Sequence, residues 1–130
     1  FRYAMSIIKN RSSENYDDAM RKLNDYASTP NADKALVYAW IAYIGLLKDN
    51  MQLAQEYLNK SKAQNPDHYW LYYVQACKNA MQKLSEEALA NLEKAITSGK
   101  LEKQDIEKEN FLKSIRKTNN YKNLMAKSFP

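Results

Sequence analysis

The stretch EEALANLEKAITSG, Glu86 to Gly99, places small residues where a core-facing helix stripe normally carries large ones. Ala88, Leu92 and Ala95 follow at intervals of four and three, so they share one helix face. Alanine on a buried face lets a second backbone come very close. The signature recurs as Ala54, Leu58 and Ser61, and again as Ala19, Leu23 and Tyr26. Ala19 precedes Ala54 by 35 residues, and Ala54 precedes Ala88 by 34. Tyr3, Tyr38 and Tyr72 keep step, each 16 residues before the small residue. Each tyrosine is followed four residues on by Ile7, Ala42 or Ala76. A period of 34 residues in a helical chain signals a stack of helix pairs.

The punctuation agrees with that period. ASTPNAD (27–33), AQNPDH (63–68) and TSGKLE (97–102) carry the Pro, Gly, Asn and Asp of chain breaks, with shorter breaks at NRSSEN (10–15), KDN (48–50) and QKLS (82–85). The segments between them have helical periodicity and predict helices near 2–11, 15–27, 33–47, 51–63, 68–82 and 86–98. Asn15, Asp33, Asn50 and Ser85 are candidate N-caps, because each side-chain oxygen can accept an orphan backbone N–H. Gly99 suits a left-handed helix stop. LVYAWIAYIGLL (36–47) holds β-formers but lacks strict alternation, and its all-round apolarity predicts a helix sandwiched between neighbours. No strand is expected.

With this register the chain resembles the tetratricopeptide repeat (TPR) family. That family places an aromatic early in the first helix, small residues where the helices cross, and proline near the end of a 34-residue unit. Ala35–His68 carries Tyr38, Ala42, Ala54, Leu58, Ser61 and Pro66; Tyr69–Glu102 carries Tyr72, Ala76, Ala88, Leu92 and Ala95, with Gly99 near the proline site. Phe1–Lys34 carries Tyr3, Ile7, Ala19, Leu23 and Pro30, with Tyr26 in place of a small residue. The family's second aromatic is missing, since Asn10, Gly45 and Asn79 stand there. Phe111, Leu112, Ile115, Arg116, Tyr121 and Leu124 loosely match the segment that closes bacterial arrays. The resemblance implies one all-α domain, an α-solenoid of three TPR-like helix-turn-helix pairs (1–34, 35–68, 69–102), with C-terminal capping helices in a closing segment, 103–130. An end cap is a physical need, because the last pair would otherwise expose its stacking face.

Composition sets outer bounds. The chain has 130 residues, 45% hydrophobic and 27% charged, with 2 glycines and 3 prolines, which favours long helices and short connections. No run reaches the roughly 18 apolar residues of a membrane span, so no membrane insertion is expected. Phe1 rather than Met opens the chain, which reads as a processed product or a piece of something longer. The compartment, cytoplasmic or periplasmic, stays open. Residues 1–112 hold 15 basic and 15 acidic residues; the whole excess of +5 lies in 113–130.

Catalysis is not expected. His68 is the one histidine and sits in a turn, Cys77 has no partner for a disulfide and no activating histidine at helical spacing, and two glycines cannot build a phosphate loop. No cofactor or metal set is spaced for binding. By resemblance the first helix of each pair lines a concave face: Phe1, Ala4 and Ile8, then Leu36, Ala39 and Tyr43, then Trp70, Tyr73 and Cys77. This groove is apolar and aromatic, suited to an apolar or helical segment of a partner protein or peptide. It lacks the Lys, Asn and Arg of a clamp for a terminal carboxylate. The alternative is a structural module of a larger protein or homo-oligomer, with the groove internally occupied. A third reading, nucleic-acid binding through Lys113, Arg116, Lys117 and Lys122, is weaker, because five tail charges on a neutral body are few. Ala54→Leu or Ala88→Leu is expected to cost about 1–3 kcal/mol by overpacking; unchanged thermal melting of both variants would refute the register.

Overall fold

The computed structural model describes residues 15–130. The described residues form seven α-helices and a 3-10 turn: α1 (Tyr16–Ala27), α2 (Lys34–Leu47), α3 (Met51–Gln64), α4 (Tyr69–Met81), α5 (Ser85–Thr97), α6 (Lys103–Lys108), the turn Asn110–Leu112, and α7 (Asn119–Ser128). They contain no strand. The expected helix near 2–11, with Phe1, Tyr3, Ala4, Ile7 and Ile8, lies outside the described residues.

The described backbone groups into two compact units that divide between His68 and Tyr69. Length alone predicts one domain; the division falls where the second repeat ends and the third begins. In the first unit α2 packs on α3, and α1 on α2. In the second unit α4 packs on α5, the 3-10 turn lies against α4, and α7 against α5. The architecture is all-α, with neighbouring helices packed in pairs.

The small residues of the recurring pattern are buried. Ala19, Ala54, Ala88, Ala95 and Ser61 are fully buried, as are Leu23 and Leu92. Ser61 Oγ donates to the Ala35 carbonyl at 2.7 Å, so the third small position of α3 fastens it to the first turn of α2. The closest crossing is at Gly45: a Cβ there would stand 2.8 Å from Ala54 N and 3.0 Å from its Cα. This explains why α2 has no second aromatic. Asn79 holds the corresponding place in α4 and instead accepts a hydrogen bond from Asn91 Nδ2 of α5 at 2.8 Å.

Both helix pairs turn by the same device. Asn50 N–H donates to Gly45 O at 2.8 Å and Asp49 N–H to Leu46 O at 3.0 Å, with Asp49 left-handed at φ 55°. Leu84 N–H donates to Asn79 O at 2.9 Å and Lys83 N–H to Ala80 O at 3.1 Å, with Lys83 at φ 64°. These paired bonds are a Schellman stop, which satisfies the orphan carbonyls of the helix end. Asp49 and Lys83 stand 34 residues apart and adopt a conformation that non-glycine residues enter at a cost of about 1–2 kcal/mol. Gly99, at φ 74°, ends α5 as its residue type predicts.

The caps divide. Asp33 and Asn50 accept from Leu36 N at 3.1 Å and Leu53 N at 3.0 Å. Asn15 occupies the cap position of α1 but makes no side-chain cap bond. Ser85 is not a cap: α5 begins at Ser85 itself, behind Leu84, because the Schellman bond of Leu84 draws the chain straight into the helix. α2 buries nine residues, in keeping with a sandwiched helix.

Gly45→Ala gains about 1 kcal/mol of helix propensity but drives a Cβ into backbone. The backbone of α3 cannot rotate away as a side chain could, so overpacking prevails. A net loss of about 1–3 kcal/mol in urea unfolding is expected.

Candidate functional site

Of the six residues expected to line an open groove, four are core. In the first unit Ala39 is fully buried and Tyr43 is 6% exposed, while Leu36 is half-buried. The Tyr43 ring sits 5.6 Å from that of Trp40, tilted against it. In the second unit Cys77 is fully buried and Tyr73 is 3% exposed. Trp70 is half-buried and stacks on Tyr73, with 4.6 Å between ring centroids and 15° between planes.

The closing segment supplies the cover over Tyr73. Tyr73 Oη donates to Glu109 Oε1 at 3.0 Å, and Glu109 is buried. Its Oε2 accepts from the Phe111 N–H at 3.4 Å, which starts the 3-10 turn that packs on α4. Leu112 and Ile115 bury fully beside this anchor, and Ser114 Oγ donates to the Ala80 carbonyl at 3.1 Å. Sequence reasoning missed Glu109. It ends a run of alternating Glu and Lys that reads as a solvated face, and only the adjoining Phe111 and Leu112 hint that the run turns inward there.

The basic tail is a packed cap rather than a loose cationic arm. Tyr121, Leu124 and Met125 bury the inner face of α7, and Thr118 Oγ1 caps it at Tyr121 N. Lys113, Lys117 and Lys122 are exposed. Lys127 pairs with Glu93 of α5 at 2.7 Å. Arg116 is half-buried and its Nη1 donates to the Glu107 carbonyl, which takes it out of the set of surface cations. Burial pushes the Tyr121 phenol above its ordinary pKa of 10.0, the nearby Arg116 charge opposes this, and Glu107 adds to it.

α5 and α7 also frame a cleft of about 420 Å³, with Leu89, Ala90 and Leu124 as apolar lining and Glu86, Glu93, Asn120, Asn123 and Lys127 as polar lining. The Lys127–Glu93 ion pair belongs to this rim. The cleft has no histidine, cysteine or hydroxyl nucleophile. His68 Nε2 lies 2.9 Å from Asp33 Oδ2, and Asp33 simultaneously caps α2, so His68 braces a helix start. Among the described residues no group of three or more His, Cys, Asp or Glu could hold a metal ion, and no helix is long and apolar enough to cross a membrane.

No protein-family model matches this chain, and neither a curated protein nor a solved structure does.

Tyr73→Phe leaves the buried Glu109 carboxylate short of one donor and is expected to cost about 1–3 kcal/mol in urea unfolding. An unchanged midpoint would mean that the closing segment is not fastened there. A second expectation concerns alkaline pH. The folded-state pKa of Tyr121 is raised, so the unfolded chain ionises first. Stability is full below pH 10 and declines as pH rises from that value through the higher folded one. Tyr121→Phe should therefore make unfolding less steeply pH-dependent above pH 10, read as the midpoint of urea curves along a pH series.

Proposed function

We propose that this chain is a non-catalytic, TPR-like module of protein–protein interaction, and that its inner aromatic positions in the second unit are occupied by its own closing segment. The observation that carries this reading is the hydrogen bond from Tyr73 to the buried Glu109. A tyrosine that awaited a partner would show its hydroxyl to solvent; this one is engaged, beneath a segment anchored by Leu112 and Ile115. The 34-residue recurrence of small residues, the helix pairs and the repeated Schellman stops support the TPR-like part of the reading. The module then works as a rigid structural element of a larger protein or of an assembly of identical chains.

A second reading keeps an open binding groove. Leu36 in the first unit and Trp70 in the second each favour it within their own unit, because each remains half-buried and can add apolar contact to a partner segment. Nucleic-acid binding is the weakest reading, since Arg116 and Lys127 are engaged within the fold.

Two variants separate the first two readings. Under internal occupancy, Glu109→Ala loosens the closing segment and the protein gains binding of an apolar dye and self-associates in sedimentation velocity. The double variant Leu36→Ala/Trp70→Ala keeps the wild-type partners. Under partner binding, the double variant shows unchanged circular dichroism yet loses a protein that wild type recovers from lysate.

A further inference from the structure

The closing segment holds a polar cluster whose own hydrogen bonds leave it incomplete. Arg116 uses Nη1 on the Glu107 carbonyl oxygen. Its Nε and Nη2 are shielded from solvent and have no hydrogen-bond partner. Those two nitrogens form one edge of the guanidinium, the edge whose parallel N–H bonds fit the two oxygens of a carboxylate or phosphate. Tyr121 is 6% exposed, and its Oη is likewise shielded and without a partner. The two side chains are near enough for the Arg116 charge to act on the ionisation of Tyr121. Buried polar groups in folded proteins are nearly always satisfied, so unpartnered donors on two side chains of the same closing segment point to a ligand.

The chemistry of the ligand follows from the atoms. The guanidinium edge offers donors only, and the neutral phenol offers a third. A single water can accept from the guanidinium edge and donate to the phenol oxygen, but it leaves the guanidinium charge unbalanced. An ion with two or more oxygens accepts from all three and neutralises the guanidinium as well. Glu107 stands close enough to act on Tyr121, but its side chain is exposed and makes no ion pair with Arg116 within 4.0 Å.

We propose that Arg116 and Tyr121 form a binding site for one oxyanion, a carboxylate or phosphate group, held on the Nε–Nη2 edge with Tyr121 Oη as the third donor. The site is independent of the proposed groove and of how that groove is filled. It also gives Arg116 a role that surface charge does not, since a lysine at this position would supply the charge without the edge.

The test uses the full chain, nitrogen-labelled, titrated with inorganic phosphate and separately with acetate, against chloride at constant ionic strength. The readouts are the Arg116 Nε–H resonance and the melting temperature. Wild type should show a saturable shift of that resonance and a rise in melting temperature with at least one of the two anions. The tighter of the two identifies a phosphorylated or a carboxylate-bearing source. Tyr121→Phe, which keeps the packing, should weaken the response severalfold. Arg116→Lys should abolish the stabilisation while leaving circular dichroism unchanged, and Glu107→Gln should strengthen anion binding by removing a repelling charge. No shift with either anion would overturn the proposal. So would a rise in melting temperature of equal size in wild type, Tyr121→Phe and Arg116→Lys, because surface lysines would then account for it.

Discussion

The contact on which the first unit depends is the crossing of α2 and α3 at Gly45 and Ala54. A missing Cβ on one helix meets the backbone of the other at a distance that no side chain fits. With the crossing this close, Leu58 and Ser61 reach the facing helix, and Ser61 bonds to the Ala35 carbonyl. The second unit reaches a similar pairing by different means. Asn79 replaces glycine, and an amide–amide bond to Asn91 does the work that bare backbone contact does in the first. The buried Ala88 and Ala95 keep the small-residue face in both. The two helix pairs therefore meet by two different solutions at this position, with buried alanines in both.

The closing segment has two duties in one stretch of chain. It terminates the second unit with a helix that is apolar inside, at Tyr121, Leu124 and Met125, and polar outside. It also covers the inner aromatic face of α4 through Glu109. Burying a carboxylate is costly unless donors meet it, and here a phenol and a backbone N–H do so. That local balance keeps the Tyr73 hydroxyl and the Glu109 carboxylate satisfied within the second unit.

Much of the chain was legible because its signals are local. Helical periodicity, the 34-residue recurrence, the caps at Asp33 and Asn50 and the stop at Gly99 each depend on residues within a turn or two of one another. Asn15 holds the cap position without a side-chain cap bond, and Ser85 is not the cap, for a reason that is also local. A side-chain oxygen favours a cap but does not guarantee one, and at Ser85 the preceding Schellman stop moved the helix start by one residue. The left-handed Asp49 and Lys83 had no glycine to announce them. Their conformation is imposed by the need to turn α2 into α3, and α4 into α5, within three residues.

The sequence by itself determined that the described residues are all-α, where the helices between residues 16 and 97 lie, and which small residues are buried there, because 3.6-residue periodicity and cap chemistry act along the chain. Only the tertiary structure decided that Tyr43, Tyr73 and Cys77 are core, that Glu109 is buried, and that Arg116 turns from the basic tail to the Glu107 carbonyl. Those outcomes depend on contacts between residues far apart in sequence. An aromatic or a charge carries no mark of whether a distant segment will fold over it.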